Sequence, residues 1–300
     1  MSAPFGRRLC EVLENRASGG YRLFSLIDPE GPEPRPGQFY MLATERSWDR
    51  GTGRPFLPRA LSVAECAPLT SSFSADTTKK DEVSGWRLDF LVEGIGPGTD
   101  RLCELAPGER VWLNGPLGNS FSTPHELHQI FTQPGREFDA VRPSGAILVG
   151  GGIGIAPLAL LWRTFAEGNV PTRVLLGFRD EAHSGGLDDL FACCEVRLAS
   201  DDGHRGHRGY VTDLLAAMLA GDDARSAAVY ACGPPPMLDA VGALCTAAGV
   251  PCELALESPM ACGYGACFGC AVPRAGGGYL RLCVDGPVLR PEQIETAVHA

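Results

Sequence analysis

Short apolar runs separated by glycine and proline dominate the first third of the chain. Runs at residues 21–27, 38–42, 61–64, 86–92 and 110–114 each have the length of one strand. Several short strands at this spacing, with turn residues between them, predict an antiparallel barrel or sandwich over residues 1–115. The stretch 68–85 is polar and rich in Ser and Thr, which predicts a surface loop between two strands. Residues 116–144 are weakly patterned and hold Pro124, Pro134 and Pro143. The pattern then changes. An apolar strand at 145–150 leads through a glycine turn into a helix at 157–167. Strands follow at 173–178, 195–199 and 227–232, with helical patterns at 212–219 and 236–248. Strands alternating with helices predict a parallel α/β sheet.

The chain has 300 residues and is 44% hydrophobic, enough for two domains and a small module. No apolar run reaches membrane-spanning length, and the N-terminus lacks the pattern of a signal peptide, so a cytoplasmic protein is expected. The net charge of −10, with no basic tract, argues against nucleic acid as a partner.

Of the twelve cysteines, four stand in one pattern near the C-terminus: Cys262, Cys267, Cys270 and Cys283, spaced C-x4-C-x2-C-x12-C. This opening spacing with a later fourth thiolate is that of a plant-type [2Fe–2S] cluster. Gly263, Gly265 and Gly269 lie between the ligands, where a tight loop needs backbone freedom and close amide approach. A structural zinc site is the alternative, although four-cysteine zinc sites more often show two C-x2-C knuckles. The other eight cysteines are scattered and read as small buried residues.

The segment GAILVGGGIGIAPLALL carries the second signal. Gly151, Gly152 and Gly154 fall between a strand and a helix, where free N–H groups would meet a pyrophosphate; tight packing is the competing reading. The strict G-x-G-x-x-G pattern is broken by Ile155. Asp180 would suit a ribose hydroxyl and Arg179 a 2′-phosphate, so the choice between NAD and NADP stays open. Cys232, Gly233 and Pro234 end another strand of this half, at the edge where open parallel sheets bind ligands; for Cys232 a plain core position is the other reading. His204 and His207 read as loop residues. No nucleophile–base triad or carboxylate pair stands out.

Taken together, these segments resemble the ferredoxin–NADP reductase superfamily, and within it the electron transfer subunits of two-subunit dihydroorotate dehydrogenases. The resemblance runs in order over nearly the whole chain. It implies an FAD-binding β-barrel at 1–122, a linker at 123–144, an NAD-binding α/β domain at 145–250 and a [2Fe–2S] module at 251–300. The flavin motif of that family matches Arg59, Ala60, Leu61 and Ser62. Arg59 would meet the FAD pyrophosphate, Leu61 would lie on the isoalloxazine, and Ser62 would bond near N5. Phe90, Leu91 and Val92 would give backbone contacts, and Gly98 and Thr99 would cradle phosphate. GPLGNSF at 115–121, YACGPPPML at 230–238 and ESPMACGYGACFGC at 257–270 match further motifs. Ala60 stands where close relatives often have proline, Leu61 where the wider superfamily has tyrosine, and loop 68–85 is longer than usual.

The implied activity is an electron relay. An FMN-containing catalytic partner would oxidise dihydroorotate, and electrons would pass through the cluster and FAD to NAD+, in a heterotetramer. Other reductase subunits with the same module order, and a zinc-containing nucleotide-binding protein without catalysis, are the alternatives.

Overall fold

The computed structural model describes residues 6–46, 57–69, 85–131, 143–184, 186–191, 194–221 and 226–297. Most of the expected long loop at 68–85 lies outside these residues, as do Cys193 and much of the expected linker.

Six strands close a barrel: β1 (Arg8–Ser18), β2 (Tyr21–Asp28), β3 (Phe39–Thr44), β4 (Arg59–Pro68), β5 (Trp86–Val92) and β6 (Arg110–Leu117). Their order around the barrel is β1-β2-β5-β4-β3-β6. Closure removes the free edges that an open antiparallel sheet would expose. The interior is filled by period-two residues, among them Phe24 and Leu26 of β2, Tyr40 and Leu42 of β3, and Leu88 and Phe90 of β5. The long first strand is not among the sequence-based expectations; its RLCEVLENRAS pattern alternates weakly and carries four charged residues.

The outer residues of β3 are also buried. Phe39 and Met41 point away from the barrel interior and belong to the core beneath the cysteine module. A strand covered on both faces reads as a continuous apolar run, and FYML is one.

After a short helix α1 (Pro97–Cys103), the expected linker opens instead with helix α2 (Pro124–Phe131). Thr123 and Glu126 form its capping box: the Thr123 amide donates to Glu126 Oε2 at 2.8 Å, and the Glu126 amide donates to Thr123 Oγ1 at 3.2 Å. The second domain is built on β7 (Gly145–Gly151), α3 (Ile155–Glu167), β8 (Thr172–Phe178), α4 (Leu187–Leu190), β9 (Val196–Ser200), β10 (His207–Arg208), α5 (Val211–Leu219), β11 (Ala227–Cys232), α6 (Pro235–Ala248) and β12 (Cys252–Ala255). The seven-stranded sheet runs β10-β9-β8-β7-β11-β12-β15, with β15 (Val288–Leu289) antiparallel at its edge. Thus β12, beyond the expected border at residue 250, completes the sheet. Ala146 and Leu148 of β7 face one core, and Ile147 and Val149 the other.

The last segment wraps a small hairpin, β13 (Ala271–Pro273) and β14 (Tyr279–Arg281), and returns to the sheet through β15. The barrel and the sheet domain are joined by polar ties. Glu65 on β4 accepts a hydrogen bond from Arg163 on α3. Asp189, at the end of α4, accepts from Arg16 at 2.8 Å and from Ser18 at 2.5 Å on β1.

Candidate functional site

Two cavities meet in the cleft between barrel and sheet. The larger, 720 Å³, lies at the C-terminal ends of the parallel strands, where open α/β sheets take their ligands. Gly151, Gly152 and Gly154 line it, with Gly233 and Pro234 opposite. The glycines are needed for different reasons. Gly152 has φ of 55°, in the left-handed region. A Cβ on Gly151 would lie 2.6 Å from Met237 Sδ, and one on Gly154 2.5 Å from the Cys232 carbonyl oxygen. The glycine loop thus packs tightly and also leaves open the floor of a cavity. A 3-10 turn at Gly152–Gly154 feeds α3, which starts two residues before the expected Pro157. Cys232 itself is buried and stays outside the lining of both cavities, and burial pushes its thiol well up.

Arg179 lines the larger cavity, but Asp180 does not. Its carboxylate accepts from the His183 amide at 3.0 Å and lies 2.5 Å from His183 Nδ1. These bonds hold the Asp180 carboxyl down at about 2. His204 and His207 sit outside both cavities, paired with Glu181 at 3.2 Å and Asp213 at 3.4 Å.

The second cavity, 580 Å³, opens on the barrel side. Arg59, Ala60, Leu61 and Ser62 of β4 form one wall, with Leu91 and Thr99. Phe90 and Val92 instead point into the barrel core, which leaves their main chain for any contact with a ligand. Gly98 is buried under Arg59: a Cβ there would lie 2.4 Å from Arg59 Nε. Thr99 Oγ1 accepts from the Ile95 amide at 3.1 Å and donates to the Gly96 carbonyl at 3.1 Å, which fixes the loop after β5. An arginine fork beside a glycine turn fits a pyrophosphate, and Leu61 and Leu91 give an apolar wall.

Glu93, Ile153 and Glu257 line both cavities. Glu257 follows β12 at the junction; it is exposed to the open cleft, and desolvation by the surrounding walls raises its carboxyl. Neither acid is among the sequence-predicted site residues. Their only signal is position just past a strand end.

Met260, in the wall of the second cavity, leads directly into the cysteine loop. Gly263 and Gly265 have φ of 80° and 84°. The Gly265 amide donates to Cys283 Sγ at 3.2 Å, and the Gly269 amide to Cys267 Sγ at 3.4 Å. The Sγ atoms of Cys270 and Cys283 are 3.2 Å apart. Desolvation raises the Cys262 thiol, but amides of Tyr264, Cys267 and Ala266 and the Cys267 side chain outweigh it and bring the thiol to about 6. Burial and the adjacent Cys270 push Cys283 up to about 12 as a bare thiol; coordination to a metal deprotonates such a thiol. Among the described residues no three side chains stand as ligands around a single ion. A two-iron cluster divides four thiolates into two pairs, and amides aimed at sulfur suit it. The four residues fit a [2Fe–2S] cluster.

Residues 257–295 match the iron–sulfur cluster binding domain of dihydroorotate dehydrogenase B, and residues 148–242 match the oxidoreductase NAD-binding domain. The chain is 30% identical over 286 residues to the dihydroorotate dehydrogenase B (NAD(+)) electron transfer subunit of Caldanaerobacter subterraneus, covering 94% of this chain and 96% of that one. It is 38% identical over 262 residues to the subunit of the same name from Geobacillus kaustophilus, covering 87% and 86%. The chain belongs to the family of dihydroorotate dehydrogenase B electron transfer subunits. The fold agrees with that membership. A solved NADH-dependent reduced ferredoxin-NADP oxidoreductase of flavin-based electron bifurcation superposes with a TM-score of 0.72 at 24% identity, covering 96% of this chain and 90% of that one. A ferredoxin NADP+ reductase from Neisseria gonorrhoeae, solved with FAD and NADP, gives 0.57 at 13% identity, covering 83% and 97%. As a member of the dihydroorotate dehydrogenase B electron transfer family, this chain is an oxidoreductase subunit, and its family name entails a catalytic partner.

Proposed function

We propose that this chain carries electrons between a dihydroorotate-oxidising catalytic subunit and NAD+, through a [2Fe–2S] cluster and FAD. The observation that carries the reading is the linear arrangement of three sites. The cavity at the sheet ends meets the barrel cavity at Glu93, Ile153 and Glu257, and the barrel cavity meets the cysteine loop at Met260. FAD converts between hydride and single-electron transfer, and so belongs between a nicotinamide and a cluster.

The chain's own residues have separate tasks. Gly151, Gly152 and Gly154, with the N-terminus of α3 behind them, receive the NAD pyrophosphate. Gly233 and Pro234 bound the nicotinamide end, with Cys232 buried behind them. Arg59 neutralises the FAD pyrophosphate over the Gly98–Thr99 turn. Leu61 and Leu91 cover the ring system and keep water off it, and Ser62 offers a hydroxyl beside it. Main-chain groups of Phe90, Leu91 and Val92 hold the flavin edge. Cys262, Cys267, Cys270 and Cys283 hold the cluster.

The FAD-binding barrel spans residues 1–122, the connection 123–144, the NAD-binding domain 145–250 and the cluster module 251–300, with β12 shared between the last two. The partner is the FMN-containing catalytic subunit, in a heterotetramer. The complex acts in the cytoplasm without membrane or nucleic acid. The charge of −10, with no basic tract, supports the absence of nucleic acid; among the described residues no helix is long and apolar enough to span a bilayer.

The test is the anaerobic absorption spectrum of the purified chain. Flavin bands over a broad iron–sulfur absorption, with iron and sulfide in the proportion of a [2Fe–2S] cluster, both bleached by NADH, are expected. A colourless protein holding zinc would overturn the reading.

A further inference from the structure

Strand β3 has one face in the barrel and the other under the cysteine module. On that outer face, Phe39 and Met41 are next-but-one neighbours, which places them roughly 7 Å apart along one strand face. Both are almost fully buried, at 2% and 3% exposure. Phe39 lines the flavin-side cavity. Met41 lies against the residue that follows Cys262: a Cβ on Gly263 would be 2.8 Å from Met41 Cγ, and Leu117 of β6 closes the same contact at 3.0 Å. Phe39, Met41, Leu256, Cys270 and Cys283 share one apolar core, with Leu117 and Met260 packed against it. A dry, filled path therefore runs from the cysteine loop to the flavin-side cavity along a single rigid strand.

We infer that Met41, seated between Gly263 and Phe39, is the positioning residue that couples the cluster to the flavin. This rests on the function proposed above. Electron tunnelling weakens steeply across empty space and less across packed atoms, and protein interiors fill such gaps at crystal-like density. Gly263 supports the same conclusion from the other side. Any side chain there would hold the cysteine loop away from β3.

The step being coupled is a single-electron exchange. In the NADH direction, NADH is oxidised to NAD+, and FAD takes the hydride with a proton from solvent. The reduced flavin then gives one electron to the oxidised cluster, loses a proton, and is left one electron short of full reduction. The catalytic partner need not be present.

The experiment is rapid mixing of the purified, cofactor-loaded chain with NADH, following flavin and cluster bands separately, in wild type, Met41→Ala and Met41→Leu. Hydride transfer takes place where the two cavities meet, at Glu93, Ile153 and Glu257, and Met41 lines neither cavity, so flavin bleaching should keep its wild-type rate in all three. Cluster bleaching in Met41→Ala should slow by roughly ten-fold, because truncation replaces packed atoms in the path by a void. Met41→Leu, which refills the volume, should recover most of the rate. Magnetic relaxation of the flavin radical by the reduced cluster supplies a second readout. It should be unchanged in Met41→Ala, because the module has not moved.

The inference is overturned if fully loaded Met41→Ala reduces its cluster at the wild-type rate. It is equally overturned if flavin and cluster rates fall together, or if the variant loses FAD or cluster, since Met41 would then only support the fold. Failure of the underlying function is distinguishable: the wild-type protein itself would show no cluster bleaching.

Discussion

Gly154 packs directly on the main chain of Cys232: a Cβ on Gly154 would lie 2.5 Å from the Cys232 carbonyl oxygen and 2.6 Å from the Gly233 nitrogen. The contact locks the turn before α3 to the end of β11. Both bodies are backbone, so neither can rotate aside. Gly154→Ala should cost about 1–3 kcal/mol, as overpacking in a filled core does, and should weaken NADH binding while leaving FAD in place. Thermal melting and NADH titration by flavin bleaching check both parts. Unchanged NADH affinity would show that the turn does not form the nucleotide floor.

Asp189 ties the sheet domain to β1 through Arg16 at 2.8 Å and Ser18 at 2.5 Å. The Arg16 bond, offset by desolvation and helped by Ser18, lowers the Asp189 carboxyl below its ordinary value. A lowered carboxyl contributes stability above its unfolded value of about 3.9 and loses it as pH falls through the folded value. Asp189→Asn should therefore cost about 0.5–1 kcal/mol at pH 7, since the pair is partly exposed and screened. The difference from wild type should shrink as pH falls below about 3.9 and vanish once the folded carboxyl is protonated. Denaturant melts of both proteins across this range decide it.

Arg163 and Glu65 join α3 to the barrel wall beside Arg87 and Asp89. Burial raises both carboxyls, Glu65 and Asp89, against the pull of the arginines. Removing Arg163 leaves two buried acids with less compensation. Arg163→Met should destabilise by about 0.5–1 kcal/mol, since Arg163 is 45% exposed and Glu65 keeps Arg87 at 3.8 Å. Arg163→Met combined with Glu65→Gln should restore part of the loss. Equal losses in single and double variants would mean that the pair is only a surface contact.

Cys270 is buried with its Sγ 3.2 Å from that of Cys283. Cys270→Ser should remove the broad iron–sulfur absorption and electron delivery to one-electron acceptors, while FAD stays bound and NADH still bleaches it. Loss of FAD at full cluster occupancy would contradict the separation of the two sites.

The barrel, the parallel sheet and the cysteine loop are all legible in the sequence, because each carries its own period or spacing. Strand β1 is not, since its outward positions are charged. Strand β12 is not, because four consecutive buried residues show no alternation. Helix α2 is hidden in a proline-bearing stretch, although Thr123 and Glu126 form a capping signature there. At the site, Arg59 and Thr99 line the cavity on the barrel side. Glu93 and Glu257 are illegible because separate strands bring them to the same junction. The two-faced burial of β3 is hidden as well: FYML reads as one apolar run, and only the fold separates Tyr40 inward from Met41 outward.

As a dihydroorotate dehydrogenase B electron transfer subunit, this chain passes electrons from dihydroorotate oxidation to NAD+. The most direct measurement is anaerobic NADH formation from dihydroorotate and NAD+ by this chain co-purified with an FMN-containing dihydroorotate dehydrogenase subunit. NADH should form only when both chains are present, and Cys270→Ser in this one should abolish its formation. NADH formation at an undiminished rate with Cys270→Ser, or none in a complex loaded with FMN, FAD and cluster, would contradict this role.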